Sequence, residues 1–275
     1  MSRVLGSSGP FQPPQDPEDV GMADGLHTDI DEGIAWLTLD RPPVNVLDTA
    51  LLLYLADTID DLGARGDLRL IVIRGAGRSF SAGVDVGQHL GKELAPMLEA
   101  FQRAAVRLAS SDVPTLAVAH GAALGGACEL VALADLAIVA DDAVLGVPEI
   151  RLGVVPPVAA ACFPRLVGAQ RAAALILMGD TITGAEAARI GLVWKSVPPE
   201  RLAEEATAVA DRFRGLSASA LRLARRTLRG AMRLPLQQAI ADSTDLQVRA
   251  IPEMADAQEG LRAFIEKRKP VWSHR

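Results

Sequence analysis

Two adjacent glycines, Gly125 and Gly126, stand just ahead of an acid, Glu129, in the stretch His120-Gly-Ala-Ala-Leu-Gly-Gly-Ala-Cys-Glu-Leu130. Glycine lets a backbone approach a ligand closely, and the start of a helix carries unpaired N–H groups and a partial positive charge. A helix beginning near Gly126 therefore turns its first N–H groups into donors for an oxygen that gathers negative charge during a reaction. Glu129, one turn along, returns to nearly the same face, so a carboxylate stands beside the donors. An acid at a helix start is ordinarily solvated, but Glu129 lies between Cys128 and Leu130 in an apolar run, where an unpaired charge is costly.

Two further segments join a strand end to a loop: Gly75-Ala-Gly-Arg-Ser-Phe-Ser-Ala-Gly-Val-Asp85 and Pro148-Glu-Ile-Arg-Leu-Gly153. In an α/β sheet, ligands bind at such carboxyl ends of strands. On its own, Glu149 reads as a surface-loop acid and Asp85 as the N-cap of the helix that follows it. His89 and His120 have no carboxylate or nucleophile at informative spacing and read as structural or peripheral.

The elements that hold these segments follow from periodicity. Strand-like runs flank the turn residues Asp31, Glu32 and Gly33 within His27–Leu39, as in a hairpin, and Arg41-Pro-Pro43 stops them. Asp48 caps a helix over Thr49–Leu62; a buried strand follows at Leu70–Ile73. The spacing then predicts a helix from about Ala95 to Ala109, a strand at Thr115–Ala119, a Gly-rich turn, the helix at Gly126 and a strand at Leu136–Ala140. Alternating strand and helix implies a largely parallel sheet. From Gly168 onward the chain reads almost entirely helical, with Thr183 and Glu186 as a capping box, Gly191 as a C-cap and long helices around Ala218–Met232 and Leu236–Arg249.

Composition narrows the functions. With 275 residues, 49% hydrophobic, the chain is long enough for a large core. A net charge of −6 favours neither a nucleic-acid partner nor an anionic membrane. The Arg222, Arg225, Arg226 and Arg229 run then reads as a solvated helix face or an inter-subunit surface. Cys128 and Cys162 lie in apolar stretches without zinc or disulfide spacing, so no metal site is expected and both read as core residues. Acids at 129 and 135 argue against a membrane span over Leu116–Ala140. Met1–Gly25, rich in Pro, Gly, Ser and acids and lacking the apolar core of a secretory signal, reads as a flexible tail on a cytoplasmic protein.

Together the three segments resemble the crotonase (enoyl-CoA hydratase/isomerase) superfamily, with its F-S/A-A-G-x-D, N/H-G-x-A-x-G-G-G-x-E and P-E-x-x-x-G patterns. The resemblance covers about residues 26 to 275, including Arg41-Pro-Pro-Val-Asn-Val-Leu47 and Gly260-Leu-Arg-Ala-Phe-Ile-Glu-Lys-Arg268. It implies an α/β fold with a ββα spiral core over residues 26–205, preceded by the tail 1–25 and followed by a helical oligomerisation region over 206–275. It implies that the N–H groups of Val84 and Gly126 hold a thioester oxygen, and that Glu129 and Glu149 carry the proton chemistry of hydration. Gly125, Ser81, Ala82 and Asp85 then line the substrate and CoA site, with Ser81 and Ala82 at the adenine. Phe264 and Lys267, on the last helix of a neighbouring subunit, close over the nucleotide, and Arg78 and Lys267 meet its phosphates. No cofactor is implied, since coenzyme A belongs to the substrate; the expected assembly is a homotrimer or hexamer.

Two departures from the family pattern bear on the substrate. Ala127 replaces a third glycine, and the usual Gly-rich stretch after the second glutamate is here Val154-Val-Pro-Pro-Val-Ala-Ala-Ala-Cys-Phe-Pro-Arg165. Proline fixes φ, so that wall of the acyl pocket should be stiff. With Val46-Leu-Asp48 and Gly83-Val-Asp-Val-Gly-Gln-His89, it resembles the cyclohexa-1,5-diene-1-carbonyl-CoA hydratase branch. An enoyl-CoA hydratase, in fatty acid metabolism or aromatic degradation, is thus the expectation. The alternatives are a cyclic dienoyl-CoA hydratase, a Δ3-Δ2 enoyl-CoA isomerase and a non-catalytic acyl-CoA binder.

Overall fold

The computed structural model describes residues 18–23 and 25–275. Three antiparallel strands come first: β1 (Glu18–Ala23), β2 (Leu26–Asp31) and β3 (Ile34–Leu39). Glu32 and Gly33 take positive φ in the tight turn between β2 and β3, the geometry that matches a hairpin's twist. β1 corrects the expectation of a tail running to Gly25, because Glu18–Ala23 pairs antiparallel with β2 and occupies its outer edge. The rest of that expected tail, residues 1–17 and 24, lies outside the described residues.

The chain continues through α1 (Thr49–Ala64), β4 (Leu70–Gly75), α2 (Leu94–Ser110), β5 (Thr115–Ala119), β6 (Ala122–Leu124), α3 (Gly126–Leu133), β7 (Leu136–Ala140) and β8 (Val144–Gly146). Then come α4 (Pro157–Val167), α5 (Ala169–Met178), β9 (Thr181–Thr183), α6 (Gly184–Ile190), β10 (Lys195–Val197) and the helices α7 (Leu202–Arg214), α8 (Ala218–Ala231), α9 (Leu236–Glu253) and α10 (Ala255–Ile265). Asp48 does cap α1, its Oδ1 accepting the Leu51 N–H at 2.9 Å, a bond worth about 1 kcal/mol. Leu51, Leu55, Ile59 and Leu62 form the buried stripe of that helix.

The main sheet runs in the order β1-β2-β3-β4-β5-β7-β10. From β3 onward every pairing is parallel. Each residue of β5 is buried, the mark of a strand covered on both faces. A second, smaller sheet, β6-β8-β9, arises within what reads as a Gly-rich turn and in the otherwise helical second half. Its strands span only three residues each, too few to show a period in sequence.

The boundary expected between residues 205 and 206 falls inside α7, whose Leu202, Ala206, Val209 and Ala210 are buried, so the core continues through that helix. Three of the four arginines of α8 are not on a solvated face, while Arg226 is exposed beside Asp112. Arg225 donates to Asp135 Oδ2 at 2.5 Å and to the Leu108 carbonyl at 3.1 Å, Arg229 to Asp135 Oδ1 at 2.7 Å, and Arg222 to the Gly63 carbonyl at 2.9 Å. Planar guanidinium groups with several donors can satisfy buried acceptors in this way, which docks α8 onto the last turns of α1 and α2 and the residue ahead of β7. Of the capping box at α6, half is present: Thr183 accepts the Glu186 N–H at 3.2 Å, but the Glu186 carboxylate turns outward to Arg189 at 2.6 Å. Gly191 ends α6 at φ 82°, as a C-cap glycine should.

Candidate active site

Three backbone segments lie side by side at the carboxyl end of the sheet. The Leu47 N–H donates to the Gly83 carbonyl at 2.9 Å, and the Asp85 N–H donates to the Leu47 carbonyl at 3.0 Å. In a parallel bridge these two bonds engage the neighbours of Val84, so the N–H of Val84 itself faces away from Leu47. On the far side, the Ser81 N–H donates to the Ala122 carbonyl at 3.0 Å and the Leu124 N–H to the Ser81 carbonyl at 3.2 Å. β6 thus runs directly into Gly125, whose N–H is held by the Gly146 carbonyl at 2.8 Å.

α3 starts there, with Gly125 at φ 56° and ψ −131°, a backbone open essentially to glycine. A Cβ on Gly126 would stand 2.7 Å from Val84 Cγ2 and 2.9 Å from Phe101 Cε2, so Val84 and Gly126 are immediate neighbours. Among the described residues neither N–H has a hydrogen-bond partner. Both residues line one cleft of about 370 Å³.

Glu129 lies in the floor of that cleft, only 2% exposed. Its Oε1 accepts the Ala159 N–H at 2.6 Å from the first turn of α4. Pro157 opens that helix, where the N–H it lacks would be unpaired in any case. The double-proline segment is therefore a pre-set helix start that aims its next N–H groups at Glu129. Burial pushes the Glu129 carboxyl up to about 7; the Ala159 N–H pulls it down, the Glu149 charge pushes it up and the Val158 N–H pulls it down.

Glu149 comes from the 3-10 turn Pro148–Leu152, closed by Gly153 at φ 76°. Its Oε1 lies 2.7 Å from where a Cβ on Gly125 would be, beside the start of α3. Its Oε2 is buried with no hydrogen-bond partner among the described residues. Burial pushes this carboxyl up as well, while its own backbone N–H and the nearby His89 draw it down. Two carboxyls of raised pKa thus share one cleft with two free N–H donors, an arrangement able to stabilise an oxyanion and move protons beside it.

The remaining wall is apolar: Leu94, Met97, Leu98 and Phe101 from α2, and Leu152, Val154, Val155 and Pro156 from the turn before α4. Ala82 lines the cleft, but Ser81 is fully buried, donating its hydroxyl to the Asn45 carbonyl at 2.5 Å and accepting the Gly83 N–H at 3.0 Å. Asp85 is not a helix N-cap: its Oδ1 accepts the Gly87 N–H at 2.8 Å just ahead of a 3-10 turn, Gly87–His89, whose N-cap is Val86. Arg78 is exposed on its loop and is not a cleft residue. Phe264, 85% exposed, and Lys267, at φ 55° just past α10, are also outside the cleft of the single chain.

His120 lies outside the cleft, its Nε2 2.9 Å from the Gly77 carbonyl. The expectation for His89 is corrected: it lies in the cleft, brought there by the turn that follows Asp85. Burial pushes the thiols of Cys128 and Cys162 up, the latter to about 12, so neither is a ready nucleophile. Among the described residues no cluster of His, Cys, Asp and Glu could hold a metal ion. No helix among them is long and apolar enough to cross a membrane.

Asn45 escapes sequence reasoning although it shapes the site. It is 1% exposed at φ 53°. Its Nδ2 donates to the carbonyls of Ala76, Ser79 and Phe80 at 2.9, 2.9 and 3.1 Å, and its Oδ1 accepts the Arg41 N–H at 2.8 Å. The one sequence signal was an amide set between valines after two prolines.

This fold and site define a class, and the comparisons agree with it. The sequence matches the family Enoyl-CoA hydratase/isomerase over residues 29–275. The chain belongs to that family and is an enzyme of the crotonase fold. It is 36% identical over 248 residues to the protein named probable enoyl-CoA hydratase in Mycobacterium bovis, spanning 89% of this chain and 96% of that one. It is 34% identical over 250 residues to the cyclohexa-1,5-dienecarbonyl-CoA hydratase of Thauera aromatica, spanning 89% and 95%. An enoyl-CoA hydratase structure from Bacillus anthracis superposes with a TM-score of 0.86 at 28% identity, covering 92% of this chain and 100% of that one.

Proposed function

We propose that this enzyme adds water to an α,β-unsaturated acyl-CoA thioester. The observation that carries the reading is the meeting of Glu129 and Glu149, both raised by burial, with the free N–H groups of Val84 and Gly126 in one cleft. In this reading the two N–H groups receive the thioester oxygen. Negative charge gathers there as water attacks C3, and preorganised donors strengthen as the enolate forms. Glu129 holds the water and takes its proton; Glu149, with an unpaired oxygen beside Gly125, exchanges the proton at C2. Because the two carboxyls interact, the pair titrates as a unit. The reaction is redox-neutral and calls for no cofactor beyond the coenzyme A of the substrate.

Arg78 and Lys267 are assigned to the CoA phosphates, with Phe264 and Lys267 supplied by a neighbouring copy in a homotrimer or hexamer, and the enzyme is assigned to the cytoplasm. A second reading, hydration of a cyclic dienoyl-CoA, is favoured by the helix start that Pro156 and Pro157 build against Glu129 and by the 34% identity to the Thauera aromatica protein. In a cyclic diene the same parts add water across the conjugated system.

The test is a substrate panel on purified enzyme: crotonyl-CoA, cyclohexa-1,5-diene-1-carbonyl-CoA and a Δ3-enoyl-CoA, with products separated by chromatography. Hydration of the first or second is expected. Shift of the Δ3 double bond without hydration of any thioester would make the enzyme an isomerase, and tight acyl-CoA binding without product a binder.

A further inference from the structure

Only three ionisable side chains line the cleft among the described residues: Glu129, Glu149 and His89. The reaction above uses the first two. His89 is set apart from them by how it is held. Its Nδ1 lies 3.1 Å from the Asp85 carbonyl, which can only accept, so Nδ1 carries a proton and donates whether the ring is neutral or charged. Asp85 is itself pinned, its N–H on the Leu47 carbonyl and its Oδ1 on the Gly87 N–H. The imidazole is therefore fixed by the same backbone that presents Val84. Nε2, on the opposite edge of the ring, has no hydrogen-bond partner among the described residues.

We propose that His89 is a specificity-determining residue that meets an oxygen substituent on the acyl group, selecting oxygenated acyl chains over plain hydrocarbon ones. The proposal rests on the hydratase reading above. Around His89 the wall is hydrocarbon, with Leu94, Met97, Leu98 and Phe101 along α2. An acyl group that fills this cleft displaces water from Nε2. A hydrocarbon then leaves that nitrogen unpaired, whereas a hydroxyl donates to the bare Nε2 of the neutral ring and a carboxylate accepts from the Nε2–H of the charged ring, and sites built in this way discriminate against the analogue that lacks the polar atom. His89 lines the same cleft as Glu149, Val84 and Gly126, which puts the oxygen it meets on the acyl part of the substrate.

The experiment compares kcat/KM for three CoA thioesters of equal chain length, pent-2-enoyl, 5-hydroxypent-2-enoyl and the 5-carboxylate pent-2-enedioyl, on the wild type, His89→Leu and His89→Gln. The wild type should favour at least one oxygenated thioester over pent-2-enoyl-CoA by about tenfold, the worth of one ordinary hydrogen bond. The two oxygenated arms separate a neutral partner from a charged one. His89→Leu should abolish the preference, bringing kcat/KM for the three thioesters within about threefold of one another, and His89→Gln, which keeps a polar group, should retain part of it. Equal hydration of all three by the wild type, or an equal loss on all three in His89→Leu, overturns the proposal and leaves the hydratase reading standing. If the wild type hydrates none of the three but turns over the substrates of the earlier panel, the oxygen-selection proposal alone fails; if it hydrates no thioester at all, the hydratase reading fails with it.

Discussion

The backbone N–H of Ala159 donates to Glu129 Oε1 at 2.6 Å, joining the first turn of α4 to the buried acid of α3. This N–H belongs to the unpaired set at a helix start, and proline is tolerated in a first turn. Ala159→Pro should therefore remove the donor and leave the helix. Hydrogen bonds to charged groups are worth about 1.5–3 kcal/mol, so kcat/KM should fall on the order of 10- to 100-fold. Because that bond holds the Glu129 carboxyl down, its loss should also move the corresponding limb of the pH–rate profile upward. An unshifted profile with full activity would remove Ala159 from the site.

Glu129 also marks the pH dependence of stability. Burial raises its carboxyl from the ordinary 4.5 to about 7 in the folded chain. Below 4.5 it is protonated in both states and the folded state keeps the whole of this contribution. Between 4.5 and 7 the unfolded chain ionises first, so stability declines as pH rises. Glu129→Gln lacks this titration. The difference in unfolding free energy between wild type and variant should thus shift in the variant's favour across that window, by on the order of 3 kcal/mol. Parallel denaturation curves at matched pH values would show it; a constant difference would mean that the buried acid titrates normally.

Gly126→Ala places a methyl 2.7 Å from Val84 Cγ2 and 2.9 Å from Phe101 Cε2. Overpacking of this kind costs about 1–3 kcal/mol of stability. Its larger expected effect is on catalysis, because Val84 must move with its N–H. A fall in kcat on the order of 10²- to 10³-fold, the scale for a lost oxyanion donor, with near-normal CoA binding by calorimetry, is the expected result.

Asn45 should behave as a positioning residue. Asn45→Ala leaves the carbonyls of Ala76, Ser79 and Phe80 without their shared donor, a loss of about 1–3 kcal/mol. The loop they belong to leads into Ser81–Asp85, so thermal unfolding should come earlier and kcat should fall. KM for the acyl-CoA should change less.

Much of this was legible in the residues. β5 and β7 match their apolar runs end to end, and α1 opens where Asp48 caps it. Glu129 stood out because an acid in an apolar, glycine-led helix has few ordinary explanations. Glu149 rested on its motif alone, since a Pro-Glu turn shows nothing of the Gly125 backbone it packs against. Arg225 and Arg229 misled because their partner, Asp135, is ninety or more residues away. β6, β8 and β9 were hidden because pairing with distant segments, rather than any pattern of their own, makes them strands. His89 was missed for a similar reason: it reaches the cleft only through the fold of the turn after Asp85.

The central claim is that Glu129 and Glu149 together carry out hydration. Its most direct test is the rate of loss of enoyl-thioester absorbance for the best substrate of the panel, on wild type, Glu129→Gln and Glu149→Gln, each shown to be folded. Each amide should reduce kcat by about 10²- to 10⁴-fold, the range for a removed general acid or base, with acyl-CoA binding retained. Unchanged hydration by either variant would contradict the two-carboxylate account.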